Sequence, residues 1–525
     1  MSTYKPTSNF SRSWFSSPEE AVGALVSYGV DKELVVEDDR IFVTNALLDV
    51  LQLEPGPDFD PLRPVWYGAL EDILAYLLDD AVSRGICEDG TASRDLFDTR
   101  IMGCITPPPS MVRYLFGKYR LFFGTKATDF LYKLAQDSDY IRTYRVRKNR
   151  TWASDTRYGK LDITINLSKP EKDPRAIAAA RTKSGDSYPP CMLCRENEGY
   201  AGRLDYPARQ TLRLVPVRLA WEQWFLQYSP YAYYPEHCIV LSKRHVPMSI
   251  TSKTFIRLLD FVRTFPHYII GSNADLPIVG GSILAHDHFQ GGRYQFAMAR
   301  AKVKRHIEFP GFTDVRAAII DWPLSVIRLS SKRQSSLEVL GNRIFEAWRA
   351  YSDESVGVLA ASGGEPHNTV TPIARRRSNR EFELDIVLRN NRTSQEHPLG
   401  IFHPHAELHH IKRENIGLIE VMGLAVLPAR LLDEMERLQE AIRAGEDVEG
   451  IPELASHVPW AHEILDRHPE LVPGVDTEVV RQVIQDEIGQ VFARVLEDCG
   501  VFKDDAAGNA AFVRFVRSMG GRELT

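Results

Sequence analysis

Gly280-Gly281-Ser282-Ile283-Leu284-Ala285-His286-Asp287-His288-Phe289-Gln290-Gly291-Gly292 sets two histidines two residues apart between paired glycines. In an extended strand, residues i and i+2 share a face. The spacing therefore predicts a strand on which His286, His288 and Gln290 point the same way. Gly280, Gly281, Gly291 and Gly292 would let the backbone approach a ligand closely. That is a phosphate site in outline; the plainer alternative is a strand with two satisfied surface histidines.

The surrounding chain has 525 residues, 44% of them hydrophobic, enough for two or three domains with well-buried cores. A net charge of −6 gives no global basic field, which disfavours nucleic acid and acidic membranes as partners and favours a small ligand. No run of about eighteen apolar residues occurs, and Met1 to Pro18 is polar without a hydrophobic signal core, so a soluble cytoplasmic protein is expected. Six cysteines are too sparse for a disulfide scaffold, and two of them form Cys191-x-x-Cys194.

From about 17 to 135 the apolar spacing is helical, with a capped start at Ser17-Pro18-Glu19-Glu20 and periodic runs at Leu70 to Leu78 and Val112 to Leu134. A strand-like run at Leu161 to Leu167, a charged turn at 168 to 174 and an Ala-rich helix near Ala176 to Ala180 follow. Beyond Cys191 the composition turns to strands: Thr211 to Arg218, Trp224 to Tyr228, Cys238 to Leu241, and later Thr369 to Ala374 and Phe382 to Leu388. Helices are expected near Thr254 to Thr264 and Leu337 to Tyr351, and again at the C-terminus.

A second His-x-His, His403-Pro404-His405, is read as another strand, and its repetition suggests an internal duplication with two halves of one sheet architecture. One Cys-x-x-Cys is half of a zinc site, because structural zinc takes four ligands; His245 and His286 are the candidates for the other two. The alternatives are a redox pair, for which the helix expected after the first cysteine is missing, and two plain buried cysteines. With His286 occupied by metal, His288 is left to attack phosphorus as a neutral imidazole, provided its other ring nitrogen donates to a fixed acceptor such as a backbone carbonyl. Gln290 would donate to a non-bridging phosphate oxygen. Arg203, Arg209, Arg213 and Arg218 read either as a phosphate patch or as a solvated face, and the tyrosines of 228 to 234 either as a uracil platform or as sheet packing.

The stretch 280 to 292 resembles the active-site strand of the galactose-1-phosphate uridylyltransferases, in particular their second, bacterial class within the histidine-triad superfamily. The likeness extends over 163–173, 191–203, 228–238 and 403–422, and so over most of the chain. It implies an α+β fold: a helical N-terminal region (1–185), then two histidine-triad-like halves (186–310 and 311–525) around a mainly antiparallel sheet. It also implies a ping-pong exchange in which UDP-glucose leaves its uridylyl group on His288 and galactose 1-phosphate collects it. Gln290 would hold the uridylyl phosphate, and Asn273, Gly281 and Ser282 would lie at the substrate phosphates. The spacing departs from the better-known class at Ser282, and the usual His-Pro-His is His286-Asp287-His288 here.

Of the family's two metal sites, one would map to Cys191, Cys194, His245 and His286, taking zinc in a structural role. The other would map to His403 and His405 with a carboxylate, giving a possible second metal. Family members are often dimers, which makes a homodimer an expectation by analogy. The rival readings are another nucleotidyl transfer of the superfamily, on an ADP-sugar or a dinucleoside tetraphosphate, and a zinc-stabilised nucleotide-binding module without turnover.

Overall fold

The computed structural model describes residues 15–168, 188–281, 283–378 and 380–524. The chain forms two compact units, and its course passes between them more than once: 1–147, 169–216 and 225–231 make the first; 148–168, 217–224 and 232–525 make the second. The expected boundary at 185/186, the charged turn from Lys169 and the Ala-rich helix lie outside the described residues.

The first unit is helical over its N-terminal part, as the periodicity predicts. Pro18–Asp31 begins with Ser17 accepting from the Glu20 amide at 3.2 Å, while the Ser16 amide donates to the Glu20 carboxylate at 2.7 Å. Arg40–Leu51, Leu70–Ser83, Thr91–Ile105, Pro109–Phe122 and Gly124–Asp137 follow. Leu70–Ser83 buries Ile73, Leu74, Leu77, Leu78 and Ala81, the one-sided stripe of an amphipathic helix.

Arg142 ties this unit together, donating to Asp95 at 2.8 Å and to Asp98 at 2.6 Å, with Asp139 at 3.8 Å and Arg145 also on Asp95. Three carboxylates share two guanidinium groups. Burial pushes Asp139 up to about 7, with the Asp98 and Asp95 charges adding to it and Arg142 opposing. An acid whose folded pKa is raised contributes stability at low pH and loses it as pH climbs toward that value. Asp139 also has a φ of 58°, a left-handed conformation that asparagine adopts readily. Asp139→Asn is therefore expected to unfold at a higher temperature than wild type at pH 8, by about 1–3 kcal/mol in stability, with the gap closing toward pH 5. A gap that widens on acidification would show the sign to be wrong.

An eleven-stranded sheet among the described residues underlies most of the second unit, with residues 215–216 and 225–228 of two of its strands falling in the first unit. Its strands are β3 (Val215–Leu219), β4 (Glu222–Tyr228), β5 (Cys238–Ser242), β6 (Ile269–Gly271), β7 (His288–Gly292), β8 (Val303–Glu308), β9 (Arg316–Ile320), β10 (Val326–Ser331), β13 (Asn368–Arg376), β14 (Phe382–Asn390) and β16 (Arg522–Glu523). The spatial order is β16-β8-β9-β10-β14-β13-β6-β7-β5-β4-β3. The duplication is visible in it. One half runs 3-4-5-7-6 and the other 8-9-10-14-13, each with a helix after its third strand, Ser252–Thr264 or Gln334–Arg349. The halves join where β6 pairs antiparallel with β13, Gly271 opposite Ile373. The expected division at 310/311 thus falls between adjacent strands of one sheet.

By this correspondence the counterpart of β7 is β14, not the second His-x-His. Residues 402–410 form no strand: they turn through a short 3-10 helix, Ala406–Leu408, which His405 precedes. Pro404 interrupts the run, since proline cannot donate to a ladder. On one sheet face Leu384 and Phe255 crowd the position where Gly341 would carry a Cβ, so the two helices pack closely there. The opposite face, with Val387, Ile373 and Ile269, buries against a three-stranded sheet and the C-terminal helices. That sheet is β1 (Arg150–Thr156), β2 (Gly159–Ile165) and β15 (Leu424–Leu427), the last parallel to β2. The two short strands β11 (Ala361–Ser362) and β12 (Glu365–Pro366) pair with each other. No helix among the described residues is long and apolar enough to cross a membrane.

Candidate active site

β7 lies between β5 and β6, with Leu241 opposite His288, and Ile239 and Gly271 opposite Gln290. His288 and Gln290 share a face, as expected. His286 does not belong to the strand, which begins at His288. Its role is positional nonetheless: the His288 Nδ1–H donates to the His286 carbonyl at 2.8 Å. That bond fixes the tautomer and leaves the His288 Nε2 lone pair bare. Burial lowers the His288 pKa to about 4, so the ring is neutral at physiological pH. A buried, neutral, oriented imidazole is what attack on phosphorus requires.

Sequence reasoning missed His237. It is buried, and its Nε2–H donates to Gln290 Oε1 at 3.2 Å. Burial lowers its pKa to about 4, and Tyr233 and Tyr234 flank the ring at 5.4 and 4.6 Å. With Oε1 held, the Gln290 amide presents its N–H groups as the donors for a ligand. The signal lay in Glu236-His237-Cys238: β5 begins at Cys238, opposite Gly291. His237→Ala should slow turnover by about tenfold, less than the roughly hundredfold expected for Gln290→Ala. The double variant should be no slower than Gln290→Ala alone, because His237 acts through the amide; additive losses in initial rate would refute that coupling.

Asp287 points to the opposite face, where its carboxylate lies 3.4 Å from Arg257, itself bonded to Glu222 at 2.7 Å and seated over the Trp224 ring. Burial raises Asp287 to about 6 against the pull of Arg257. An aspartate between the two histidines is thus a packing and pairing choice behind the site, and it leaves the face of His288 unaltered.

The glycines serve the protein's own backbone more than a ligand. A Cβ at Gly291 would come within 2.5 Å of the Ile269 carbonyl, at Gly292 within 2.7 Å of the Glu236 carbonyl, and at Gly280 within 2.6 Å of the Ala274 carbonyl. At Gly281 it would meet the Asn273 amide nitrogen at 2.6 Å. Asn273 is buried, and its Oδ1 accepts from the Leu418 amide at 2.8 Å, pinning that segment to the sheet. Ser282 lies outside the described residues.

The candidate metal ligands form two pairs, one in each unit. In the first unit, Cys191 and Cys194 Sγ are 3.4 Å apart, held by a turn in which the Asn197 side chain donates to both their carbonyls, at 2.8 and 2.7 Å. In the second unit the His245 and His286 rings stack at 5.2 Å, and the His286 Nε2–H donates to the Ser242 carbonyl at 2.9 Å. His403 and His405 part company. The ring nitrogens of His403 face the Pro404 carbonyl at 3.1 Å and Asn415 Oδ1 at 3.3 Å, whereas His405 gathers with Glu407 and Asp498, their donor atoms within 4.8 Å of one another.

Four of the polar residues with two readings are engaged within the protein. Arg213 is buried and donates to the carbonyls of Pro107, Thr106, Gln210 and Leu212, and Arg203 pairs with Asp205 at 2.7 Å. The Tyr228 hydroxyl donates to the Thr128 carbonyl and that of Tyr234 to the Gly291 carbonyl, so both rings pack the interior.

A buried imidazole with its lone pair fixed, beside an oriented amide on one strand face, is an arrangement suited to nucleotidyl transfer. The comparisons agree. Residues 70–247 match the model of the galactose-1-phosphate uridyl transferase N-terminal domain, and 261–460 that of the C-terminal domain. A galactose-1-phosphate uridylyltransferase of Clostridium acetobutylicum is 49% identical over 94% of this chain and 98% of its own length. That of Bacillus subtilis is 48% identical over 96% and 98%. No solved structure matches the chain. The chain belongs to the galactose-1-phosphate uridylyltransferase family.

Proposed function

We propose that this enzyme transfers the uridylyl group of UDP-glucose to galactose 1-phosphate, giving UDP-galactose and glucose 1-phosphate, in two displacements through His288. The observation that carries the mechanism is the His288 Nδ1–H bond to the His286 carbonyl. In the first displacement Nε2 attacks the α-phosphorus, the N–P bond forms as the P–O bond to glucose 1-phosphate breaks, and the departing phosphate keeps the electron pair. Nδ1–H stays bonded to the carbonyl, which stabilises the positive charge on the ring. In the second, an oxygen of galactose 1-phosphate displaces the ring and Nε2 regains its lone pair. The Gln290 amide N–H groups meet the non-bridging oxygens as charge accumulates on them.

We also propose that one zinc takes Cys191, Cys194, His245 and His286. Two sulfurs on a tetrahedral zinc stand about 3.8 Å apart, close to the 3.4 Å found and far from a disulfide bond. A ligating imidazole commonly donates its other N–H to a carbonyl, as His286 does to Ser242. Four protein ligands leave no open position, so this ion would hold His286, and through its carbonyl His288, without entering the chemistry. His405, Glu407 and Asp498 supply the nitrogen and oxygen donors of a second, harder site. A cytoplasmic homodimer completes the proposal, on analogy with the family.

The test is intact mass after incubation with UDP-glucose alone. A uridylyl-sized gain, discharged by galactose 1-phosphate and absent with ADP-glucose, is expected. No gain and no released glucose 1-phosphate would remove the two-displacement reading.

A further inference from the structure

Arg389, near the end of β14, is 1% exposed, yet among the described residues no carboxylate lies within ion-pairing distance of it. Its Nη2 donates to the Ile416 carbonyl at 3.0 Å, while Nε and Nη1 are buried without a partner. Glu420, the acid whose charge reaches it, is taken by Lys412 at 3.2 Å and by the Gly417 amide at 3.2 Å. A guanidinium is always charged and carries five donors in a rigid fork; burying it with two nitrogens idle is costly unless something arrives to meet them.

The strand registers say which way it faces. Arg389 is opposite Thr369 and Thr371 is opposite Val387; Ile373 is opposite Gly271, which is opposite Gln290. Directly opposed residues share a face, as do residues two apart along a strand. Arg389, Thr371, Gln290 and His288 therefore rise from one side of the sheet. Thr371 Oγ1 is likewise buried without a partner. Over this side runs the segment from Glu414 to Leu418, held by Arg389 through Ile416 and by Asn273 through Leu418. Against that segment opens a cavity of about 330 Å³, walled by His403, Arg413 and Asn415 with apolar Ile278 and Leu399.

We infer that Arg389 and Thr371 form a buried phosphate anchor for the sugar 1-phosphate, Arg389 taking two phosphate oxygens through Nη1–H and the second Nη2–H and the Thr371 hydroxyl donating to a third. The inference rests on the uridylyl-transfer reading. The anchor acts on the sugar phosphate as it leaves in one displacement and enters in the other. It also couples binding to the segment above, because the guanidinium that receives the phosphate is the one that holds Ile416. Paired donation to two oxygens of one phosphate requires the planar fork of a guanidinium, so lysine at 389 keeps the charge and loses the geometry.

The test is binding of galactose 1-phosphate to full-length protein by calorimetry, alongside steady-state kinetics, for wild type, Arg389→Lys and Thr371→Val. Loss of one charge-assisted pair corresponds to about ten- to a hundredfold in affinity. Arg389→Lys is expected to weaken galactose 1-phosphate by that factor and to raise its KM more than it lowers kcat, and Thr371→Val by about threefold to tenfold. A purely architectural Arg389 would lower the unfolding midpoint and leave these constants as they are; unchanged Kd and KM in folded Arg389→Lys and Thr371→Val overturn the anchor. Failure of the transferase reading looks different, since wild type itself would then form no adduct with UDP-glucose. Should Arg389→Lys not fold, Thr371→Val alone decides.

Discussion

Replacing His288 with alanine is expected to lower turnover by about 10⁴-fold or more and to abolish the uridylyl adduct. The size follows from the arrangement on β7. The bare Nε2 is generated by a single bond, from Nδ1–H to the His286 carbonyl. On the two-displacement proposal no water takes its place efficiently, because a direct displacement lacks the covalent intermediate that divides the reaction in two. The variant should remain folded: the ring makes its described bond to backbone, and a His-to-Ala truncation there costs about 1–3 kcal/mol. Initial rates and intact mass on the same preparation separate the cases. An adduct that persists in the variant would assign the nucleophile elsewhere and sink the role given to His288.

The second large effect is on stability. On the proposed zinc site, Cys194→Ser should lower zinc content and drop the unfolding midpoint by about 6–12 °C, corresponding to about 3 kcal/mol. Serine is a poor ligand for zinc, and Cys194 is buried in a turn whose carbonyls Asn197 secures, so the lost bond is not replaced by a rearranged one. Chelation of wild type should act in the same order, on stability first and on turnover after. Metal content by mass spectrometry with a parallel melting curve is the check. One equivalent of zinc retained by the variant would show that Cys194 is no ligand.

Much of the site could be read in the residues because its chemistry is local. His288 and Gln290 need only the strand period to share a face, and Cys191 and Cys194 need only one turn. The helical N-terminal region was equally legible, from its caps and one-sided apolar stripes. What escaped depends on partners distant in sequence. His237 means little until β5 is laid antiparallel to β7, and Arg389, just past the strand expected over Phe382 to Leu388, reads as part of a loop able to bind a sugar or as an ordinary polar loop until β14 proves to run on through Asn390. The His403-x-His405 spacing misled for a physical reason: Pro404 breaks the ladder, so residues two apart do not share a strand face. Asp287 became intelligible only with Arg257 and Glu222 in view.

The seam between β6 and β13 has a consequence for how the second unit folds. Cut there, each half of the sheet would end on a strand with a bare row of amide and carbonyl groups, ready to recruit any passing strand. Joined, the two edges satisfy each other, and neither half has a native boundary of its own. Melting should therefore be a single event across 238–390, with the amides of Ile269 to Gly271 among the last to exchange with solvent. A nascent chain released before Phe382 would carry an unfinished sheet, and aggregation rather than half an enzyme is the expected fate of such truncations.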